Sequence, residues 1–173
     1  TLLPLLFALL LSSLLYPSLA LPRASAQATG AVLVLEVDGV INPLTAQYLD
    51  RALVLAEQRG ARLVVLTLDT PGGLESAMRD MTQALLSSPV PTVVYVTPGG
   101  ARATSAGLFI TLAAHVAAMT PGTHIGAAHP VPLGTEIDEV MDEKATSDAA
   151  ALVRAIAERR GRNVEWPERA VRE

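Results

Sequence analysis

A chain of 173 residues that is 50% hydrophobic and 17% charged has the length of one domain and too much apolar side chain to stay unfolded. A net charge of −4 and an aromatic content of 3% exclude both the electrostatic and the stacking footprint of a nucleic-acid binder. The absence of cysteine excludes disulfides, zinc–thiolate sites, iron–sulfur clusters and cysteine nucleophiles.

The first element is an uncharged apolar run, Leu2 to Leu21, followed by Ala24-Ser25-Ala26. An apolar stretch that ends in a small-x-small site predicts a secretory signal peptide over residues 1–26, with a membrane anchor as the alternative reading. In either case residues 27–173 form a domain outside the cytoplasmic membrane. The lack of an initiating Met and of a basic n-region, and an ending at Glu173 inside a helical pattern, predict a sequence cut at both ends.

Beyond Gln27 the pattern alternates. Ala31–Val37, Arg62–Leu68 and Thr92–Thr97 read as strands, and Val116–Met119 as a short fourth one. Between them, Asn42-Pro43 has the chemistry of an N-cap and first helical residue, opening a helix that ends near Gly60. Leu74, Met78, Met81 and Leu85 keep helical spacing, and Ser105–Ala114 reads as a buried helix. A loop-like stretch, Thr120–Thr135, leads to a long helix from about Glu136 to Arg160, a stop at Gly161, and a further helix from Asn163. Near-continuous apolar strands separated by helices predict an α/β fold with a covered, mostly parallel sheet.

Chemistry concentrates in three places. Asp69-Thr70-Pro71-Gly72-Gly73 lies between a strand and a helix, where glycines let backbone N–H groups approach a ligand; an ordinary βα turn would look the same. Gly99 to Gly107 follows the next strand and carries Ser105 at the opening of the apolar helix, either as a nucleophile or as a plain N-cap. The third is Lys144, the only lysine beside twelve arginines. Ile137, Val140, Met141, Lys144, Asp148, Ala151, Leu152 and Ala155 fall on one helical stripe, which predicts Lys144 on or beside the buried face. Burial would lower its pKa and make it a usable base, whereas a snorkelling lysine on the helix flank is the structural alternative. A serine nucleophile, a lysine base and N–H groups for an oxyanion together suit acyl transfer.

DTPGG after one strand, GARATSAG after the next, and DEVMDEKATSDAAALVRAIAERRGRN beyond resemble the NfeD-type membrane-bound serine proteases. These are relatives of ClpP and signal-peptide peptidase A in the ClpP/crotonase superfamily. The resemblance covers Ala31 to Glu173 and implies a ClpP-like protease domain with repeated β-α units. It implies Ser105 as nucleophile, Lys144 as base, and the amides of Gly73 and Ala106 as the oxyanion hole. It also implies homodimers, cleavage of hydrophobic peptide segments, and a stomatin-like membrane protein as partner. Pro71, Gly72 and His129 are expected along the substrate cleft.

His129, 24 positions after Ser105, is the rival base, because ClpP itself uses a Ser-His-Asp triad and neutral imidazole is the better base at pH 7. Pro130 and the apolar residues after it suit a cleft wall better than a catalytic loop, and Lys144 is the favoured base. His115 and His124 are expected to be structural or exposed. No P-loop and no G-x-G-x-x-G is present, and the histidines lack metal-ligand spacing, so no ATP, dinucleotide, metal or other cofactor is expected. A crotonase-type CoA enzyme and a non-catalytic scaffold for membrane-protein tails are the readings from other classes.

Overall fold

The computed structural model describes residues 30–131 and 138–173. The expected leader over 1–26 lies outside the described residues, as does Ile137. Among the described residues no helix is long and apolar enough to cross a membrane.

Four parallel strands form the main sheet in the order β1-β2-β3-β5: β1 is Val32–Asp38, β2 Leu63–Asp69, β3 Thr92–Val96 and β5 Val116–Met119. Val34, Val65, Val93 and Val116 lie side by side across all four strands. Among the described residues the cover of this sheet lies on one face. Leu35, Val37, Val64, Leu66, Leu68, Val94 and Val96 alternate onto one buried face. On the other face Val34 and Val116 are 64% and 54% exposed among the described residues. Valine runs look alike whether one face or two are buried, because β-branched residues suit a strand in both settings.

Just beyond the carboxyl ends of these strands the chain pairs a second time. Ile41 bridges Gly73, Thr70 bridges Ala103, and β4 (Arg102–Thr104) pairs in parallel with β6 (His124–Gly126). These pairings repeat the order of the main sheet one layer higher. Both three-residue strands fall where the sequence suggests only turn and loop, since so short a strand between glycines carries no visible period.

The helices follow from local chemistry. α1 (Pro43–Gln58) starts on a complete capping box: the Asn42 side chain accepts from the Leu44 and Thr45 amides, and the Thr45 hydroxyl accepts from the Asn42 amide. α2 (Glu75–Ser87) buries Met78, Met81 and Leu85. α3 (Ala106–Ala113) is buried along its whole length. Its Leu108, Phe109, Ile110 and Leu112 each contribute roughly 1.5–3 kcal/mol of burial.

α4 (Glu139–Arg159) packs through Thr146, Ala150, Val153, Ile156 and Ala157, and α5 (Glu165–Arg172) buries Pro167 and Val171 beside it. The predicted stripe through Lys144 is therefore out of phase: Val140 and Met141 are 73% and 51% exposed, and Lys144 is exposed with them. Alanines surround this helix, so composition leaves its rotation open, and Val153 and Ile156 set the phase. The carboxyl end of α4 is held by arginines. Arg160 donates to the carbonyls of Ala113 (2.7 Å) and Leu85 (2.8 Å), and Arg162 to that of Ala114 (2.9 Å). These cations satisfy orphan carbonyls at the ends of α2 and α3, where the helix field favours positive charge.

Candidate active site

The carboxyl edge of the sheet opens onto a cavity of about 910 Å³. Pro71, Gly73, Ser105, Ala106 and His129 all line it, whereas Gly72 and Lys144 do not. α2, α3 and α4 close its sides.

Ser105 sits between β4 and α3 with φ 54° and ψ −118°, a backbone region that L-residues rarely occupy. Its N–H donates to Gly126 O at 3.0 Å. Its side chain caps nothing, so the N-cap alternative is not what the structure shows. Among the described residues its hydroxyl has no hydrogen-bond partner. A half-buried serine held in a strained turn, at the end of a parallel strand and at the start of a buried helix, presents its Oγ to the cleft and the helix's positive end to whatever binds there.

The neighbouring turn is shaped around that serine. Thr70 is fully buried, and its hydroxyl accepts from the Gly72 amide (3.1 Å) while lying 3.2 Å from Gly72 O. Gly72 has φ +115°, and a Cβ there would stand 2.6 Å from Ser105 Cβ. Gly72 thus acts as clearance behind Ser105. At Gly73 a Cβ would fall 2.1 Å from Ile41 O. Ile41 bonds to the flanking residues, its N–H to Gly72 O (2.8 Å) and its O from Leu74 N–H (2.9 Å). In a parallel bridge this leaves Gly73's own N–H directed away from Ile41. Gly107 completes the fit, since a Cβ there would meet Thr70 Cγ2 at 2.7 Å. Asp69 and Thr70, which sequence reasoning gave no role, join the two loops. The Asp69 carboxylate accepts from Arg102 N–H at 3.0 Å, and Thr70 N–H donates to Arg102 O at 2.7 Å. The visible signal was only that DT precedes PGG.

The structure does not bring Lys144 to Ser105. It stands on the solvent side of α4, one residue from cleft-lining Ala145. Asp148, one turn on from Lys144, pairs with Arg79 of α2, which also holds Glu75 at 2.7 Å. His129 does share the cleft with Ser105, but both ring nitrogens face elsewhere. Nδ1 lies 3.1 Å from Val171 O, so it carries the proton in the neutral ring, and Nε2 lies 3.8 Å from Asp142 Oδ2. His115 is structural, as expected: its Nδ1 accepts from the buried Thr92 amide at 3.2 Å. Burial, with Arg160 and Arg162 nearby, pushes its imidazole below the usual range. His124 is exposed on β6.

Much of the remaining lining is apolar, with Val40, Leu74, Met78, Phe109, Val131 and Leu152 at the cavity beside charged residues of α2, β4 and α4. Val131 stands where the sequence places a cleft wall, whereas Leu74, Met78, Phe109 and Leu152 read as helix core, because a helix position that lines a cleft has the same period as one that packs in a core.

Comparison with known proteins adds to this geometry. The family described as "NfeD1b, N-terminal domain" matches residues 31–171. The membrane-bound protease PH1510 of Pyrococcus horikoshii is 37% identical over 138 residues, covering 79% of this chain and 31% of that protein. The chain thus spans about a third of the length of that relative. Two solved variants of the 1510-N membrane-bound stomatin-specific protease superpose at 35% identity over 83% of this chain. A serine-to-alanine variant does so with a TM-score of 0.75 over 70% of its own chain. A lysine-to-alanine variant, in complex with a substrate peptide, gives 0.76 over 67%. ClpP1 of Listeria monocytogenes, at 21% identity and a TM-score of 0.60 over 81% of this chain and 79% of its own, shares the fold. The expected ClpP-like α/β architecture is therefore the observed one.

Proposed function

Because this chain belongs to the family of NfeD1b N-terminal domains, we propose that it is a serine endopeptidase domain, with Ser105 as nucleophile and Lys144 as base. The observation that carries the reading is the Ser105 turn: a strained, uncapped serine facing a cleft, with a glycine cleared behind it. In the reaction Ser105 Oγ attacks the scissile carbonyl as its proton passes to the neutral base. The carbonyl oxygen becomes an oxyanion held by the N–H groups of Gly73 and Ala106, and the protonated base then gives its proton to the leaving amine. Water repeats the sequence on the acyl-enzyme. Each donor of this kind is worth about 10²–10³ in rate.

For Lys144 to serve as base, the first turns of α4 must rotate as well as close when peptide binds, because the side chain stands on the solvent side of that helix. The lysine variant of 1510-N, studied with its substrate peptide, supports a working lysine. The apolar walls suit hydrophobic segments of membrane-associated proteins. The stomatin-specific relative makes a stomatin-like protein the proposed partner, with the domain acting as a homodimer at the outer face of the membrane.

One observation favours a second reading: His129 lines the same cleft and has Asp142 beside it. It would require the ring to turn, because Nδ1 faces Val171 O and Nε2 faces Asp142. Lys144→Arg separates the two. Arginine keeps the charge but cannot release its proton, so the variant should fold and lose roughly 10²–10⁴ in peptide cleavage. His129→Gln should be far milder. Normal cleavage by Lys144→Arg together with a dead His129→Gln would replace the Ser-Lys assignment with Ser-His.

A further inference from the structure

Arg102 opens β4, three residues before Ser105. Strand alternation buries Ala103 and turns Arg102 and Thr104 to the other side, where both line the cleft. The Arg102 backbone is pinned on two sides, by Asp69 and Thr70 and by its pairing with His124. Its guanidinium, in contrast, has no ion pair and no hydrogen bond among the described residues. The other cleft-lining arginine, Arg79, is neutralised by Glu75 and Asp148. Those two carboxylates share one cation, and Asp142 faces only a histidine, so the far wall is acidic and repels a carboxylate.

We infer that Arg102 is a specificity-determining residue that takes a carboxylate of the bound peptide in a two-pronged hydrogen bond. The inference rests on the peptidase reading of Ser105. A planar fork of N–H donors matches a carboxylate better than any other peptide group. At about 3.3 Å per residue, Arg102 stands about 10 Å along the strand from Ser105. An extended peptide passing the nucleophile therefore brings its third residue or so from the scissile bond level with the guanidinium. An aspartate or glutamate side chain and a free chain terminus offer the same group there.

The test is a set of quenched fluorescent apolar peptides with Asp or Asn placed one to four residues from the cleaved bond on either side. A matched pair ends in a free or an amidated carboxyl terminus at the same spacing. Wild type should prefer Asp over Asn by about three- to tenfold in kcat/KM, the size of one exposed charged contact. The preference should fall at a single position, two to four residues from the bond and on one side. The free-acid and amide pair shows whether a chain terminus is accepted as well as a side chain. In Arg102→Gln the Asp/Asn ratio should fall to one, and Arg102→Lys should restore part of it. A wild type without positional preference, or a preference that survives in Arg102→Gln, would overturn the inference. If wild type cleaves no peptide, the peptidase reading fails separately. Anisotropy binding of the same peptides to Ser105→Ala, with and without Arg102→Gln, then decides the role of Arg102 alone.

Discussion

The loops that carry Ser105 and the helix that carries Lys144 face each other across the cleft and are fastened by different means. Thr104 N–H bonds to Thr70 O, Thr70 N–H to Arg102 O, and Ser105 N–H to Gly126 O, so the nucleophile side is fixed by main-chain hydrogen bonds. Thr70 and Ala103 beneath it are fully buried. The first half of α4 is mostly exposed and is tied across the cleft by the side-chain pair of Arg79 and Asp148, with His129 Nε2 only within 3.8 Å of Asp142. Its second half is different again, with Val153 and Ile156 in the core and Arg160 and Arg162 clamped on neighbouring helix ends. Ser105, the proposed nucleophile, is thus held ready before substrate arrives, while Lys144, the proposed base, belongs to a segment held by surface side-chain contacts that can release it. Elements that move on binding come from such weakly fastened regions.

The sharpest way to break this contrast is at the rigid side. Gly72→Ala places a Cβ 2.6 Å from Ser105 Cβ on a backbone with φ +115°. The strain and the displaced serine should cost about 1–3 kcal/mol of stability, read by chemical denaturation. Cleavage should drop about 10²-fold or more, because a small displacement of the reacting group is enough for that. A fully active Gly72→Ala protein would mean that the turn is not built around the serine.

The α4 side should respond far less. Asp148→Asn removes the pair with Arg79 at a largely exposed site, and the expected change is under about 1 kcal/mol. A double-mutant cycle with Arg79→Met should give a coupling of similar size, shrinking as salt rises. A coupling of several kcal/mol would show that α4 is as firmly fixed as the loops, and Lys144 would then have no route to the serine.

The same contrast marks where the sequence was legible. The four main strands, the Asn42 cap, the buried α3 and the two glycine turns are written in local chemistry, and they build the Ser105 side. The rotation of α4 is not, because alanines at 145, 149, 150, 151 and 155 fit several faces equally. The stripe through Val140 and Met141 predicts Lys144 on or beside the buried face, whereas burial of Val153 and Ile156 turns it outward. β4 and β6 were illegible because three residues cannot display an alternation. Asp69 and Thr70, which tie the loops together, look like ordinary turn residues until their partners thirty-odd positions away are known.

The central claim is that Ser105 is the nucleophile, and covalent labelling tests it most directly. A serine-directed acylating probe, mapped by mass spectrometry, should modify Ser105 at one equivalent, and Ser105→Ala should remain unmodified and inactive. Peptide cleavage by a protein whose label maps elsewhere, or that persists in Ser105→Ala, would contradict the account.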